Sequence, residues 1–192
     1  MATGFLDLLW PVLLFLGVEH VRVSPDANAF LRLDLYDYPW SHSLATTLLW
    51  AALFAAAILL RARDLRAALV VGFVVLSHWM LDFLSHRADM PLWPGGPRVG
   101  LGLWNSVGGT VVVEGLFFAV GVWLYFTATR ARDTFGRVGA AAFVAFCVLI
   151  YALNVTGPPP PNASVMPLFG ILGWLFPLAA WWVDRHRAPA TA

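Results

Sequence analysis

The stretch SHWMLDFLSHRADMPL, Ser77 to Leu92, closes a long apolar run with His78, Asp82, His86 and Asp89 at successive spacings of four, four and three. On an α-helix these side chains fall at roughly 0, 40, 80 and 20°, a single stripe covering about a quarter of the circumference. Arg87 lies outside that stripe. Imidazole nitrogen and carboxylate oxygen together are the donors of Zn²⁺ and other first-row divalent cations. The same groups could also line a proton or ion path, or satisfy one another as hydrogen-bonded pairs inside a bundle.

Further ionisable residues are expected to join this stripe. Glu19-His20 closes the first apolar run, Ser41-His42-Ser43 opens the second, and Glu114 lies within TVVVEGLFF. A charged carboxylate inside a membrane span costs about 2.5–3.5 kcal/mol on insertion scales, so it needs a partner or a wet cavity. Asp37, just before His42, stands at the mouth of the same zone, and Arg98 and Asn105 of the loop PLWPGGPRVGLGLWNS could hold a polar or anionic substrate group. Tyr36, Tyr38 and Trp40 read as interfacial anchors. The serines beside the histidines form no triad by adjacency alone, because neighbouring helical residues diverge by about 100°.

Six apolar runs must position these groups: Phe5–Val21, Leu44–Leu60, Leu65–Leu84, Thr110–Thr129, Val138–Val155 and Val165–Val183. Each approaches the roughly 20 residues that a spanning helix needs. The chain is 60% hydrophobic and 12% charged, about half the usual charged fraction of a soluble domain, so the fold class is an all-α polytopic membrane bundle forming one domain over residues 1–192. The first run is the weakest, since Pro11 and Glu19 interrupt it; without a basic leader or small-residue cleavage site it reads as an uncleaved helix. The lone Cys147 excludes an intrachain disulfide, and a net charge of +1 argues against nucleic acid as a partner.

All the basic residues are arginines. Arg61, Arg63, Arg66, Arg130, Arg132, Arg137, Arg185 and Arg187 fall on one face, and Arg22, Arg32, Arg87 and Arg98 on the other. The positive-inside rule puts the first face, both termini and Asp7 in the cytoplasm. The histidine–carboxylate zone then faces the exterior.

GVEH, YDYPWSHSL, SHWMLDFLSHRADMPL and GLGLWNS, with an intramembrane glutamate, together resemble the inner-membrane-associated metal-dependent hydrolases, some of which are labelled LexA-binding. The resemblance runs from the first helix to the fourth. It implies a multi-pass helical enzyme with some likeness to zinc phospholipase C-type proteins. It also implies His20, His42, His78, Asp82 and His86 as ligands of a divalent metal, zinc foremost, with Glu19, Asp89 and Glu114 as catalytic helpers. The expected activity is attack of metal-activated water on an ester or phosphoester, with membrane lipid or a lipid-linked molecule as substrate. A metal-ion or proton transporter would need ionisable residues continuing toward the arginine-rich face, where these runs are almost purely apolar. A structural or regulatory scaffold would use the stripe as assembly glue.

Overall fold

The computed structural model describes residues 1–190, which run as α1 (Phe5–Phe15), β1 (His20–Val23), β2 (Leu33–Asp37), α2 (Pro39–His42), α3 (Leu44–Ala62), α4 (Leu65–Ser85), β3 (Met90–Pro91), β4 (Arg98–Val99), α5 (Val107–Ala128), β5 (Thr129–Ala131), α6 (Thr134–Thr156), α7 (Met166–Leu172), α8 (Leu175–Arg185) and β6 (Arg187–Pro189). The protein is a helical membrane bundle carrying three antiparallel two-stranded ribbons, β1–β2, β3–β4 and β5–β6. Among the described residues, five segments are long and apolar enough to cross a bilayer: α3, α4, α5, α6 and Ala163–Arg185.

Two of the six expected spans differ from expectation. The first stops at Phe15, and 11 residues rise only about 16 Å, half of a hydrocarbon core about 30 Å thick. Its remainder turns at Gly17, where φ is +68°, and enters β1. The last span is interrupted at Gly173–Trp174, between α7 and α8. Pro177 accounts for the break: it has no N–H for the Gly173 carbonyl, and its ring crowds that carbonyl.

The long helices start where short polar side chains can cap them. Ser43 Oγ accepts from Thr46 N at 3.2 Å, Asp64 Oδ1 from Ala67 N at 3.0 Å, Ser106 Oγ from Gly109 N at 3.1 Å and Asp133 Oδ1 from Gly136 N at 2.7 Å. Arg63, in the left-handed conformation at φ +52°, closes the tight turn between α3 and α4. These two helices form an antiparallel hairpin packed closely at Gly72, whose missing Cβ would stand 3.3 Å from the Ala51 carbonyl oxygen.

The chain packs as two units. The first comprises residues 1–105 and 160–172, and the second residues 106–159 and those from Gly173 onward. In the first, Leu6, Tyr38, Trp79 and Met90 form the buried core, flanked by Phe5, Trp50 and Phe83. Phe5 meets Trp50 and Phe54 edge-on at 5.3 and 4.8 Å, which seats the start of α1 against α3. Within the second unit, α6 packs on α8, and buried Arg187 ties β6 down by donating to Thr129 Oγ1 at 2.8 Å and the Gly136 carbonyl at 2.9 Å.

Candidate metal centre

The single stripe expected across His78, Asp82, His86 and Asp89 does not form, because α4 ends at Ser85 and His86 is already extended. The following loop folds back and supplies donors to the last carbonyls. Leu101 N donates to Phe83 O at 2.8 Å, and Gly102 N to His86 O at 2.7 Å. Gly100 makes this approach possible, since a Cβ there would fall on the carbonyl oxygens of His86 and Arg87. Two polar clusters result instead of one.

The first is built on Asp7, His42, His78 and Asp82. Asp7 lies in the first turn of α1 between buried Leu6 and Leu8, and its own side chain is 66% exposed. His42 is the last residue of α2, directly before the Ser43 cap of α3, so two helix termini fix its backbone. His78 and Asp82 are one turn apart on α4. Asp7 Oδ1 lies 3.4 Å from His42 Nε2 and 3.6 Å from His78 Nε2, and Asp82 Oδ2 lies 3.2 Å from His78 Nε2 and 3.8 Å from His42 Nε2.

The outer nitrogens of both rings are engaged. His78 Nδ1 faces the Thr3 carbonyl oxygen at 2.7 Å; a carbonyl only accepts, so Nδ1 carries the proton. Nε2 faces the cluster, and it is buried with no hydrogen-bond partner among the described residues. His42 Nδ1 lies 2.7 Å from Ser41 Oγ, which donates to Glu19 Oε2, also at 2.7 Å. Glu19 Oε1 accepts from Trp40 N at 2.7 Å and Ser41 N at 2.8 Å, the two free backbone donors that remain at the start of α2 behind Pro39. Glu19 thus caps α2 from a distant segment. Burial pushes its carboxyl above the usual range, against the hydrogen bonds from Ser41 and Trp40.

Asp7 Oδ1, His42 Nε2 and His78 Nε2 lie mutually within 4.8 Å. Donors bound about 2.0–2.1 Å from a tetrahedral divalent ion stand about 3.3–3.4 Å apart, close to the two Asp7 separations. Two imidazoles and one carboxylate, with Nε2 of both rings turned inward, are a donor set that fits such an ion. Asp82 borders both rings without belonging to this triplet.

The second cluster surrounds His86. Its Nδ1 pairs with Asp89 Oδ1 at 3.0 Å, and the ring packs 4.2 Å from that of Trp104. Tyr38 Oη contacts His86 Nδ1 and Asp89 Oδ1, both at 3.3 Å. Arg87 joins Asp89 at 3.0 Å and Asp34 at 2.6 Å. Desolvation raises the Asp89 carboxyl, but His86 and Arg87 outweigh it and hold the group below the usual carboxylate range. Burial, with the Asp89 and Asp82 charges, pushes the Tyr38 phenol well above its ordinary value.

The remaining expected site residues are distributed elsewhere. His20 pairs with Asp37 at 2.8 Å across the β1–β2 ribbon, and both are substantially exposed. Arg98 donates to the Tyr36 carbonyl at 2.5 Å, and Asn105 ends a 3₁₀ turn with its N–H on Gly102 O at 3.0 Å. Glu114 belongs to the second unit, where it accepts from Tyr151 Oη at 2.9 Å. Asp7, expected on the arginine-rich face, is instead in contact with His42 and His78, because α1 is too short to carry it across. Its signal in the sequence was an aspartate inside an apolar helix. Nothing in the sequence marked Thr3, and Ser41 was visible only as a neighbour of His42.

The architecture and the cluster define a multi-pass membrane protein with an imidazole–carboxylate centre built into one helical unit. Residues 39–158, more than half of the chain, match the YdjM inner membrane protein family, and the chain belongs to that family. The matched stretch includes His42, His78, Asp82, His86 and Asp89 but neither Asp7 nor Glu19. No curated protein and no solved structure matches the chain.

Proposed function

We propose that the protein is a membrane-embedded, metal-dependent hydrolase acting on an ester or phosphoester presented at headgroup depth. The observation that carries this reading is the convergence of Asp7 Oδ1, His42 Nε2 and His78 Nε2, with each Nδ1 held by a separate partner. These three residues would hold a divalent cation, zinc foremost. Such an ion, when bound, polarises the scissile carbonyl or phosphoryl group and lowers the pKa of water. Three protein ligands are the number typical of catalytic rather than structural zinc.

The chain's own groups have separable tasks. Asp82 Oδ2, beside both imidazoles, is placed to take the proton that attacking water must lose, then return it to the leaving oxygen. Thr3 and Ser41 fix the ring orientations. His78 is seven residues from the end of α4, about 10 Å below it by helical rise, and Asp7 is the exposed member of the set. A lipid or lipid-linked substrate suits that depth.

The arginine distribution favours a cytoplasmic α3–α4 turn, with the centre on the exterior side of the inner membrane. Five crossings rather than six then leave the two termini on opposite sides. The test is hydrolysis of aryl ester and aryl phosphodiester probes by purified protein in detergent. Activity should vanish with a chelator, return with zinc and be absent from His78→Ala. Turnover unaffected by both treatments would refute the reading.

A further inference from the structure

We infer that Glu19 and Ser41 act as positioning residues that set which nitrogen of His42 is free. This inference rests on the reading of His42 as a ligand, but its tautomer can be tested without metal. Glu19 Oε1 is committed to the backbone N–H groups of Trp40 and Ser41, so Oε2 faces the Ser41 hydroxyl at 2.7 Å. A carboxylate only accepts, and the hydroxyl proton therefore goes to Glu19. The Ser41 oxygen is left to accept from His42 Nδ1 at 2.7 Å, which places the imidazole proton on Nδ1 and the lone pair on Nε2. Glu19, Ser41 and His42 are 1%, 0% and 5% exposed, so water does not compete for these bonds.

The same geometry excludes two other roles. Ser41 is not the nucleophile of a serine–histidine pair, because its proton points toward Glu19 and away from the ring. Glu19 does not act as the general base, because both of its oxygens are occupied. Its position before the family-matched stretch makes the N-terminal segment part of the centre twice over, through Asp7 and through this relay.

Glu19→Gln is the diagnostic variant because it reverses the relay. The Gln oxygen must keep facing the two backbone donors, which turns its amide nitrogen toward Ser41 Oγ. The hydroxyl proton then needs another acceptor. His42 Nδ1 is at 2.7 Å and the Tyr38 carbonyl at 3.4 Å, so it goes to His42 and drives the ring proton to Nε2. Ser41→Ala removes the relay without reversing it. The double variant Glu19→Gln/Ser41→Ala should bind metal better than Glu19→Gln alone.

The experiment is ¹⁵N-histidine NMR of the full, metal-free protein in lipid nanodiscs at about pH 8.5, above the ordinary imidazole range, with zinc affinity measured by chelator competition. The expected result is an Nδ1 proton on His42 in the wild type and an Nε2 proton in Glu19→Gln. Zinc affinity should fall about 10–100-fold in Glu19→Gln, the usual loss for a residue that orients a ligand, with partial recovery in the double variant. A proton on Nε2 of His42 in the wild type, or an unchanged ring in Glu19→Gln, overturns the inference. If the tautomer moves as expected but the wild type takes up no zinc, the relay stands and the hydrolase reading falls.

Discussion

The centre at His42 and His78 and the cluster at His86 are made of the same residue types, yet their imidazoles are arranged in opposite ways. At His42 and His78 the outer nitrogens go to Ser41 and to the Thr3 carbonyl, leaving Nε2 of both rings beside Asp7. At His86 the engaged nitrogen faces Asp89, which is itself neutralised by Arg87, while Trp104 packs on the ring. The first arrangement converges two ring nitrogens and a carboxylate oxygen on one point. The second satisfies its groups pairwise and holds the loop after α4 against the β1–β2 ribbon. Polar residues near a membrane surface are therefore not equivalent evidence of chemistry; the direction of the free nitrogen separates them.

This contrast can be broken or sharpened experimentally. The largest effect should be on metal affinity: His42→Ala and His78→Ala should each weaken zinc binding more than 100-fold, since each removes a ligand, whereas His86→Ala should change it less than about threefold. Chelator competition on the purified variants checks this. Next, Asp82→Asn should retain zinc but lower turnover about 10²–10⁴-fold, the usual contribution of a general base, measured with the aryl ester and phosphodiester probes.

Effects on the second cluster should appear in stability rather than in metal. Asp89→Asn takes the carboxylate from His86 and Arg87 and should cost about 1–3 kcal/mol, read by thermal unfolding in detergent with zinc content unchanged. The same variant has a pH signature. The folded Asp89 carboxyl is held below the unfolded value of about 3.9. Its stabilisation is thus fully present above about pH 4 and is lost as pH falls through the folded value. Asp89→Asn should flatten that acid limb of the stability profile. A comparable loss, of about 1–3 kcal/mol, is expected for Gly100→Ala, whose methyl would fall on the His86 and Arg87 carbonyl oxygens and displace the loop that caps α4.

Much of the fold was legible because apolar length is a strong signal in a bilayer. The run expected at Leu65–Leu84 is observed as Leu65–Ser85, and that expected at Leu44–Leu60 as Leu44–Ala62. The approach of His78 and Asp82 followed from helical spacing, and that of His42 from the second apolar run opening on the same face as the stripe. What failed was local termination. Helical spacing carried the stripe past Ser85 because no residue there forbids a helix; the stop is imposed by a loop that returns from Leu101 and Gly102. Asp7 was assigned to the wrong end because an apolar run broken by Pro11 was counted as a full crossing, although only 11 residues are helical. The break at Gly173 could have been read from Pro177 four residues later.

The most direct test of the central claim is the zinc content of the protein purified from membranes, compared between Asp7→Asn and His86→Ala. Asp7 lies outside the family-matched stretch and was placed at the centre by geometry alone. The account predicts one divalent ion per chain in the wild type and in His86→Ala, and its loss from Asp7→Asn. Metal retained in Asp7→Asn but lost from His86→Ala would contradict it, as would a wild-type protein that holds none.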